Sequence, residues 1–211
     1  NFEVAGSQND LNLFSDIEDA NNDGFAGRLD VRQNVFTSAD TLKIDAIGSL
    51  DYVNRDFRTI ERLYNIEFNR DWNLIDPRGD QRFAIGGFEL NSPTVGGAQY
   101  TFQNLDFSEN FSGTRHVVNS NLRFGNLRNF TSGSILDSEG DSLQSKFYRL
   151  HHASVYGFEK AWVGGKISAE DNQIAETKSN SLSFESQRFS EYEAFIGIGD
   201  STKVHMEVGF R

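Results

Sequence analysis

The residues best placed to do chemistry are in "DANNDG", positions 19–24. Asp19, Asn21 and Asp23 recur at alternate positions, Gly24 follows, and Asp30 stands where a twelfth ligand would sit. Hard oxygen donors at positions 1, 3, 5 and 12, with glycine at 6, are the spacing by which a loop wraps Ca²⁺. Calcium is therefore the one cofactor these residues propose. Two features oppose it. Residues 25–36 alternate like a strand, and the twelfth position is Asp rather than the longer, bidentate Glu. The competing reading is a solvated loop whose Asn-Asp-Gly tip tolerates positive φ.

No other group of residues forms a catalytic constellation. His151 and His152 are adjacent, so a strand points them to opposite faces and they cannot share a metal. G-x-S-x-G, H-E-x-x-H and a phosphate-binding glycine loop are all absent. With 31 acidic residues, any chosen carboxylate pair is uninformative as a glycosidase signature. "RGD" at 78–80 follows Pro77 and reads as a turn. "NFS" at 110–112 and "NFT" at 129–131 fit the N-glycosylation sequon, which matters only in a eukaryotic secretory context. Trp72, Trp162 and the tyrosines are suited either to stacking on sugars or to packing. The expectation is a protein that is not an enzyme, with a hydrolase on an all-β scaffold ranking third among the functional readings.

The chain has 211 residues, a net charge of -11, 19 phenylalanines, two prolines and no cysteine. Its acidity repels phosphate backbones, so nucleic acid is not an expected partner. No apolar run approaches the eighteen or so residues of a transmembrane helix. A membrane β-barrel remains open, because its strands are apolar on one face only. Phenylalanine interleaved with Asn, Asp and Ser favours strands over helices.

Period-two alternation runs along most of the chain. It is clearest in "GFAGRLDVRQNVF" (24–36), "LKIDAIGSLDYV" (42–53) and "LYNIEFNRDWNL" (63–74). Further strands are expected at "FEVAGS", "QRFAIGGFEL", "AQYTFQNLDF", "TRHVVNSNLRFGNL", "KFYRLHHASVYGF", "KAWVGGKIS", "SLSFESQRF", "YEAFIGIG" and "KVHMEVGFR". "NFTSGSILDSEGDS" (129–142) reads as the longest break between them. Short turns between successive strands imply antiparallel pairing. The expected fold is all-β: one antiparallel up-and-down sheet of about twelve strands spanning 1–211 as a single domain. The chain opens at "NFEVAG" without an initiator Met or signal peptide and stops within an apparent strand, which reads as a mature chain or, by preference, a segment of a longer protein.

Strand length and face purity then separate two surroundings. Soluble strands average about five or six residues, whereas membrane-spanning ones need roughly nine to eleven. The segments 25–36, 42–53 and 63–74 reach the longer figure, and the apolar faces of the first two carry no charge. On 63–74 the one intruder is Arg70, between Phe68 and Trp72, which is the pattern of a cation snorkelling at an aromatic girdle. The opposite faces are too polar for a dry core. These features predict an outer-membrane β-barrel, or part of one, acting in transport, secretion or envelope assembly. Its partners would be the lipid bilayer and other envelope proteins. The alternative is a soluble, surface-exposed β-sandwich or twisted sheet that binds glycan or protein, or forms a surface fibre.

"DFRTIERLYNIEFNRDWNL" (56–74) and "NDLNLFSDIEDANNDGFAGRLDV" (9–31) resemble segments of large outer-membrane proteins of Bacteroidota, in which long amphipathic strands follow one another. The likeness covers about the first third of the chain and assigns no functional residue. It implies an outer-membrane barrel location. It also implies O-glycosylation at a short Asp-Ser/Thr pattern, matched by Asp40–Leu42, Asp141–Leu143 and Asp200–Thr202.

Overall fold

A computed structural model describes residues 1–8, 23–38, 41–199 and 205–211. They form one antiparallel sheet of eleven strands in which each strand pairs with the next. In order these are β1 (Phe2–Gln8), β2 (Asp23–Ser38), β3 (Leu42–Val53), β4 (Gln81–Ser92), β5 (Gly96–Phe107), β6 (Phe111–Phe124), β7 (Leu127–Gly140), β8 (Leu143–Gly157), β9 (Ala161–Glu176), β10 (Gln187–Gly199) and β11 (His205–Phe210). The expected all-β, up-and-down architecture is observed. The sheet is not closed, since β1 and β11 do not pair with each other.

Three segments differ from expectation, each for a local reason. The segment 63–74 is not a strand. It lies in the connection between β3 and β4 and contains the short helix α1 (Phe68–Trp72). Tyr64, Phe68 and Trp72 satisfy a spacing of four as well as a spacing of two, so the alternation there is also a helical stripe. Arg70, the intruder in the strand reading, is the residue that breaks period two. The helix stops at Asn73, whose φ of 50° is the left-handed conformation that Asn tolerates.

The second difference is residues 129–142, expected as a break, which mostly form β7. Its small polar side chains hide the alternation, but ladders to β6 and β8 on both flanks supply the backbone bonding that makes a strand. The third is "SLSFESQRF". It contributes only its last residues to β10, and Leu182 meets Ala175 in an isolated bridge.

Register assigns the faces. Arg28 sits opposite Asp51, Asp51 opposite Phe83, Phe83 opposite Leu105, and Leu105 opposite Gly113. The row continues from Gly113 to Ser138, Ser145 and Ile174. This face is the concave one, and the buried cluster of Trp72, Phe83, Leu105, Leu136 and Phe147 sits on it. The other, convex face carries Leu29, Val31, Leu50, Phe88, Tyr100, Val118, Ile135, Leu150, Val163 and Ile196, all exposed.

The connection 54–80 folds back over the concave face as a strap. Gly24 on β2 makes room for it, because a Cβ there would lie 2.2 Å from the backbone nitrogen of Phe57. Replacing Gly24 with Val is expected to displace the strap, at about 1–3 kcal/mol for overpacking. Limited trypsinolysis should then cut faster at Arg58 and Arg62, and an unchanged digestion rate would show that the crossing at Gly24 is not tight.

Candidate functional site

The strap and the wall beneath it are the most elaborately built part of the molecule. Trp72 is 1% exposed. Its ring meets Phe83 edge-on at 5.7 Å, while Tyr64 and Phe68 stack at 4.2 Å and both also contact Phe83. This aromatic cluster, closed by Leu105, Leu136 and Phe147 from the sheet, supplies the apolar burial that holds the strap down. Phe68, expected to face lipid, is instead covered by protein on the concave side.

Around the cluster lies a ring of polar anchors. Asp71 accepts hydrogen bonds from Arg115 on β6, at 3.2 Å, and from Arg149 on β8. All three side chains are mostly buried. Arg149 also lies over the Phe147 ring, 4.0 Å from its centre. Arg70, rather than reaching a membrane boundary, donates to Glu170 on β9 at 2.9 Å. Asn73 exchanges side-chain amide bonds with Asn172, each 2.9 Å, and donates to Ser145. The helix and its cap are therefore tied to β6, β8 and β9.

Asp80 clasps the two ends of the strap together. Its carboxylate accepts from Tyr52 Oη at 2.9 Å, Asn54 Nδ2 at 3.1 Å and the Arg55 backbone N–H at 3.0 Å. The Arg55 amide and the Tyr52 hydroxyl hold its pKa below the usual carboxylate range. Burial, aided by the Asp51 carboxylate, pushes the Tyr64 phenol well above its ordinary value. It stays protonated and donates to Asp51 at 3.2 Å, while Gln81 donates to it at 2.7 Å.

Away from the strap the concave face is a charged and amide-rich wall. Asp45, 1% exposed, accepts from Asn34 at 2.9 Å and Arg32 at 3.1 Å and pairs with Lys43 at 2.9 Å. Arg32 also reaches Glu89 at 2.7 Å. The strand bulges between Asn34 and Phe36, and the Asn34 amide bonds the carbonyls of Phe36 and Ile44 there. Beside this network is an open polar hollow of about 660 Å³, lined by Arg28, Asp30, Ser49, Gln99, Gln103 and Asn119 among others. At the far side Trp162 lies across Gly197, where any Cβ would collide with the indole, and donates to Glu207 at 2.6 Å.

The residues singled out from sequence are not brought together. Asp19 and Asn21 lie outside the described residues. Asp23 opens β2, and Asp30 lies seven residues along the same strand, about 23 Å away at ~3.3 Å per residue, so the two cannot ligate one ion. Asp30 instead pairs with Arg28 at 3.0 Å. Among the described residues no group of three His, Cys, Asp or Glu is arranged to hold a metal. His151 and His152 do point to opposite faces, bonding Ser168 and Thr131 respectively. "RGD" lies at the end of the 54–80 connection, where the chain bends at Gly79 with φ 93°. Asn110 is engaged with Arg78 and Asp76, and Asn129 with Ser154. Of the three O-glycosylation matches, Ser142 sits in the exposed β7–β8 turn, whereas Asp40 and 200–202 lie outside the described residues. Sequence reasoning missed Asp71, Arg115, Arg149 and Asp80, and the one available signal was the Arg70 interruption.

A scan against protein-family models finds no match, and searches of curated proteins and of solved structures find none either.

Two outcomes test the anchoring. Trp72→Ala should cost about 3–5 kcal/mol. Asp71→Asn, which removes the charge shared by two arginines, should cost roughly 1.5–3 kcal/mol. Both should raise hydrogen exchange across 54–80 while leaving the strand ladders protected, and protection lost evenly over the molecule would contradict a separable strap.

The Asp80 clasp sets a pH dependence. A depressed folded-state pKa contributes stability above the unfolded value, near 4, and loses it as pH falls through the folded value. Strap protection should therefore decline below about pH 4 in the native chain, and Asp80→Asn should already be weakened at neutral pH with a flatter acid profile.

Proposed function

We propose that this sheet is part of the wall of a bacterial outer-membrane β-barrel, with lipid against its convex face and water against its concave face. It acts without catalysis, as an envelope component in transport, secretion or assembly. The observation that carries this reading is the distribution of charge on the convex face. Outward-facing charges on the inner strands are three register pairs of opposite sign, Arg82 with Asp106, Asp137 with Lys146, and Asp171 with Arg188, together with Glu139, which stands opposite Ser112 and Gln144. All lie toward the end of the sheet from which 54–80 and 177–186 depart. From there to the opposite rim, where the connections 93–95, 125–126 and 158–160 are short, the outward side chains carry no charge.

That uncharged band has the dimensions of a bilayer. Along β8 it runs from Tyr148 to Tyr156, about 27 Å along the strand. Tilt reduces this to a little over 20 Å, close to the ~25 Å apolar belt of such barrels. Aromatic residues mark both borders: Tyr52, Tyr148 and Tyr192 above, Phe124, Tyr156 and Phe158 below. Several polar groups inside the band bond one another, as hydrocarbon favours. Tyr100 bonds His116 at 2.8 Å, and Asn129, Ser154, His152 and Thr131 form a continuous chain of bonds. No second layer covers this face among the described residues, and in water an apolar expanse of this extent is an aggregation hazard. Among the described residues no helix is long and apolar enough to cross a membrane.

The long connections 54–80 and 177–186 leave one rim, beside the short turns 108–110 and 141–142, whereas 93–95, 125–126 and 158–160 at the other rim are all short, an asymmetry in the sense of the outer and periplasmic sides of bacterial barrels. The strap leaves the long-connection rim and folds inward, so it narrows the water-filled interior. The concave charge lattice, with the open hollow below the strap, is suited to a hydrated passage for polar cargo.

Neighbouring residues on β6 give a discriminating experiment in the full chain. Val118 faces outward and Val117 inward. Val118→Arg should destabilise the folded protein in lipid vesicles by about 2–4 kcal/mol, whereas Val117→Arg should be nearly neutral. Equal tolerance of both, together with a wild-type chain that stays monomeric without detergent, would overturn the membrane reading in favour of a soluble surface β-domain.

A further inference from the structure

We infer that Arg115 and Arg149 form a binding site for a tetrahedral oxyanion, phosphate or a soluble phosphate ester, and that Asp71 of the strap occupies this site until such an anion displaces it. The geometry of the concave face carries the site. That its ligand is passing cargo rests on the passage reading above.

The two arginines have fewer acceptors than they have donors. Asp71 is the one carboxylate hydrogen-bonded to both among the described residues, and it takes an Nη1 donor from each. Ser134 Oγ accepts from Arg115 Nη2 at 3.3 Å. Nε of Arg115, and both Nε and Nη2 of Arg149, are buried with no hydrogen-bond partner among the described residues. Neighbouring acids do not make up the difference. Glu67 and Glu170 are turned to Arg70, and Glu170 lies 3.9 Å from Arg149 Nε, beyond hydrogen-bonding distance. On β10, Glu191 and Glu193 are held by Arg211 and Lys166. Two guanidiniums therefore share one carboxylate in a chain whose net charge is -11, and buried charged donors without acceptors are costly.

A phosphate answers that deficit better than Asp71 does. Each Asp71 oxygen serves a different arginine, so neither guanidinium is engaged as a two-pronged fork. A tetrahedral dianion has enough oxygens to face both forks at once, the geometry in which arginine binds phosphate most strongly. Beside the pair lies a hollow of about 270 Å³, lined by Ser132, Ser134, His151 and Ser168 as well as the two arginines, with Glu170 at its border. Its hydroxyls both donate and accept, which suits the remaining phosphate oxygens and the polar part of an ester. Asp71 belongs to a five-residue helix held by side-chain contacts rather than by a ladder, so a free anion can replace it without breaking any strand pairing. The site opens on the concave face, away from the side assigned to lipid, so its anion arrives from water and not as a headgroup.

The test uses the full chain in a non-ionic detergent free of phosphate. Hydrogen exchange at 68–73 is followed as inorganic phosphate is added, with sodium chloride of equal ionic strength as control. Exchange should rise saturably with phosphate and not with chloride; an equal response to both overturns the inference. Asp71→Asn removes the competitor and should bind inorganic phosphate roughly ten- to a hundredfold tighter by isothermal titration. A strap that is merely structural would loosen without that gain, so unchanged affinity or no heat overturns the inference as well. Adding Arg149→Gln to Asp71→Asn should abolish the heat, and heat that persists in the folded double variant overturns the site; if that variant does not fold, the Asp71→Asn titration decides. Short-chain phosphatidic acid should leave exchange at 68–73 unchanged, and opening by this lipid in place of free phosphate overturns the soluble source. A chain that enters membranes without responding to phosphate sinks this inference alone, whereas one that binds phosphate but never enters membranes sinks the barrel reading.

Discussion

Ten antiparallel ladders hold neighbouring strands in a register that carries the polar face of each strand onto the polar face of the next, and both surfaces of this molecule depend on that constraint. Side chains alternate with a period of two, so a slip of one residue in any ladder would turn that strand's charges outward and its apolar residues inward. The row from Arg28 through Asp51, Phe83, Leu105 and Gly113 to Ile174 exists only because no ladder slips. Where one strand does bulge, at Asn34, its amide takes up the carbonyls left by the irregularity. The concave lattice in turn favours this register, because a slipped strand would face Asp45 or Arg149 without a partner, at the cost of an unsatisfied buried charge.

The strap uses that lattice in two ways. Its aromatic residues seek the one apolar area of the concave face, around Phe83, Leu105, Leu136 and Phe147, and its polar residues complete the charge pairing at the margin of that area. Asp71 is acidic where the wall offers two arginines, and Arg70 is basic where β9 offers Glu170. A segment held by both kinds of contact over one short helix is well localised, while its remaining length is held by the Asp80 clasp, the crossing at Gly24, the Tyr64–Asp51 bond and rim contacts of Arg55, Arg58 and Arg78 with Glu109, Ser7 and Asp141. Rigid wall and conditionally held strap are thus built from different interactions: backbone ladders in one case, side-chain burial and ion pairing in the other.

Most of the wall was legible in the sequence because period two is a local property. The boundaries of β3 follow directly from "LKIDAIGSLDYV", and β1, β2 and β4 through β6 are found within a few residues. β7 was not legible, since "NFTSGSILDSEG" owes its strand conformation to partners on both sides that no local window contains. The 63–74 segment misled for the opposite reason. Apolar residues at 64, 68 and 72 fit a strand and a helix equally well, and only the position of Phe83 and Leu105 in space favours the helix.

The sequence by itself determined the all-β class, the antiparallel order and the two-faced character of the strands, because each follows from side-chain alternation and turn residues within short stretches. Tertiary structure alone decided which polar residues meet. Asp71 joins Arg115 and Arg149, and Asp80 joins Tyr52 and Asn54, across separations that no spacing rule relates. It also decided that one of the most regular alternations in the chain lies inside the curve of the sheet rather than within its wall. Packing of Trp72 against a face assembled from four separate strands is a long-range interaction, and local pattern carries no record of it.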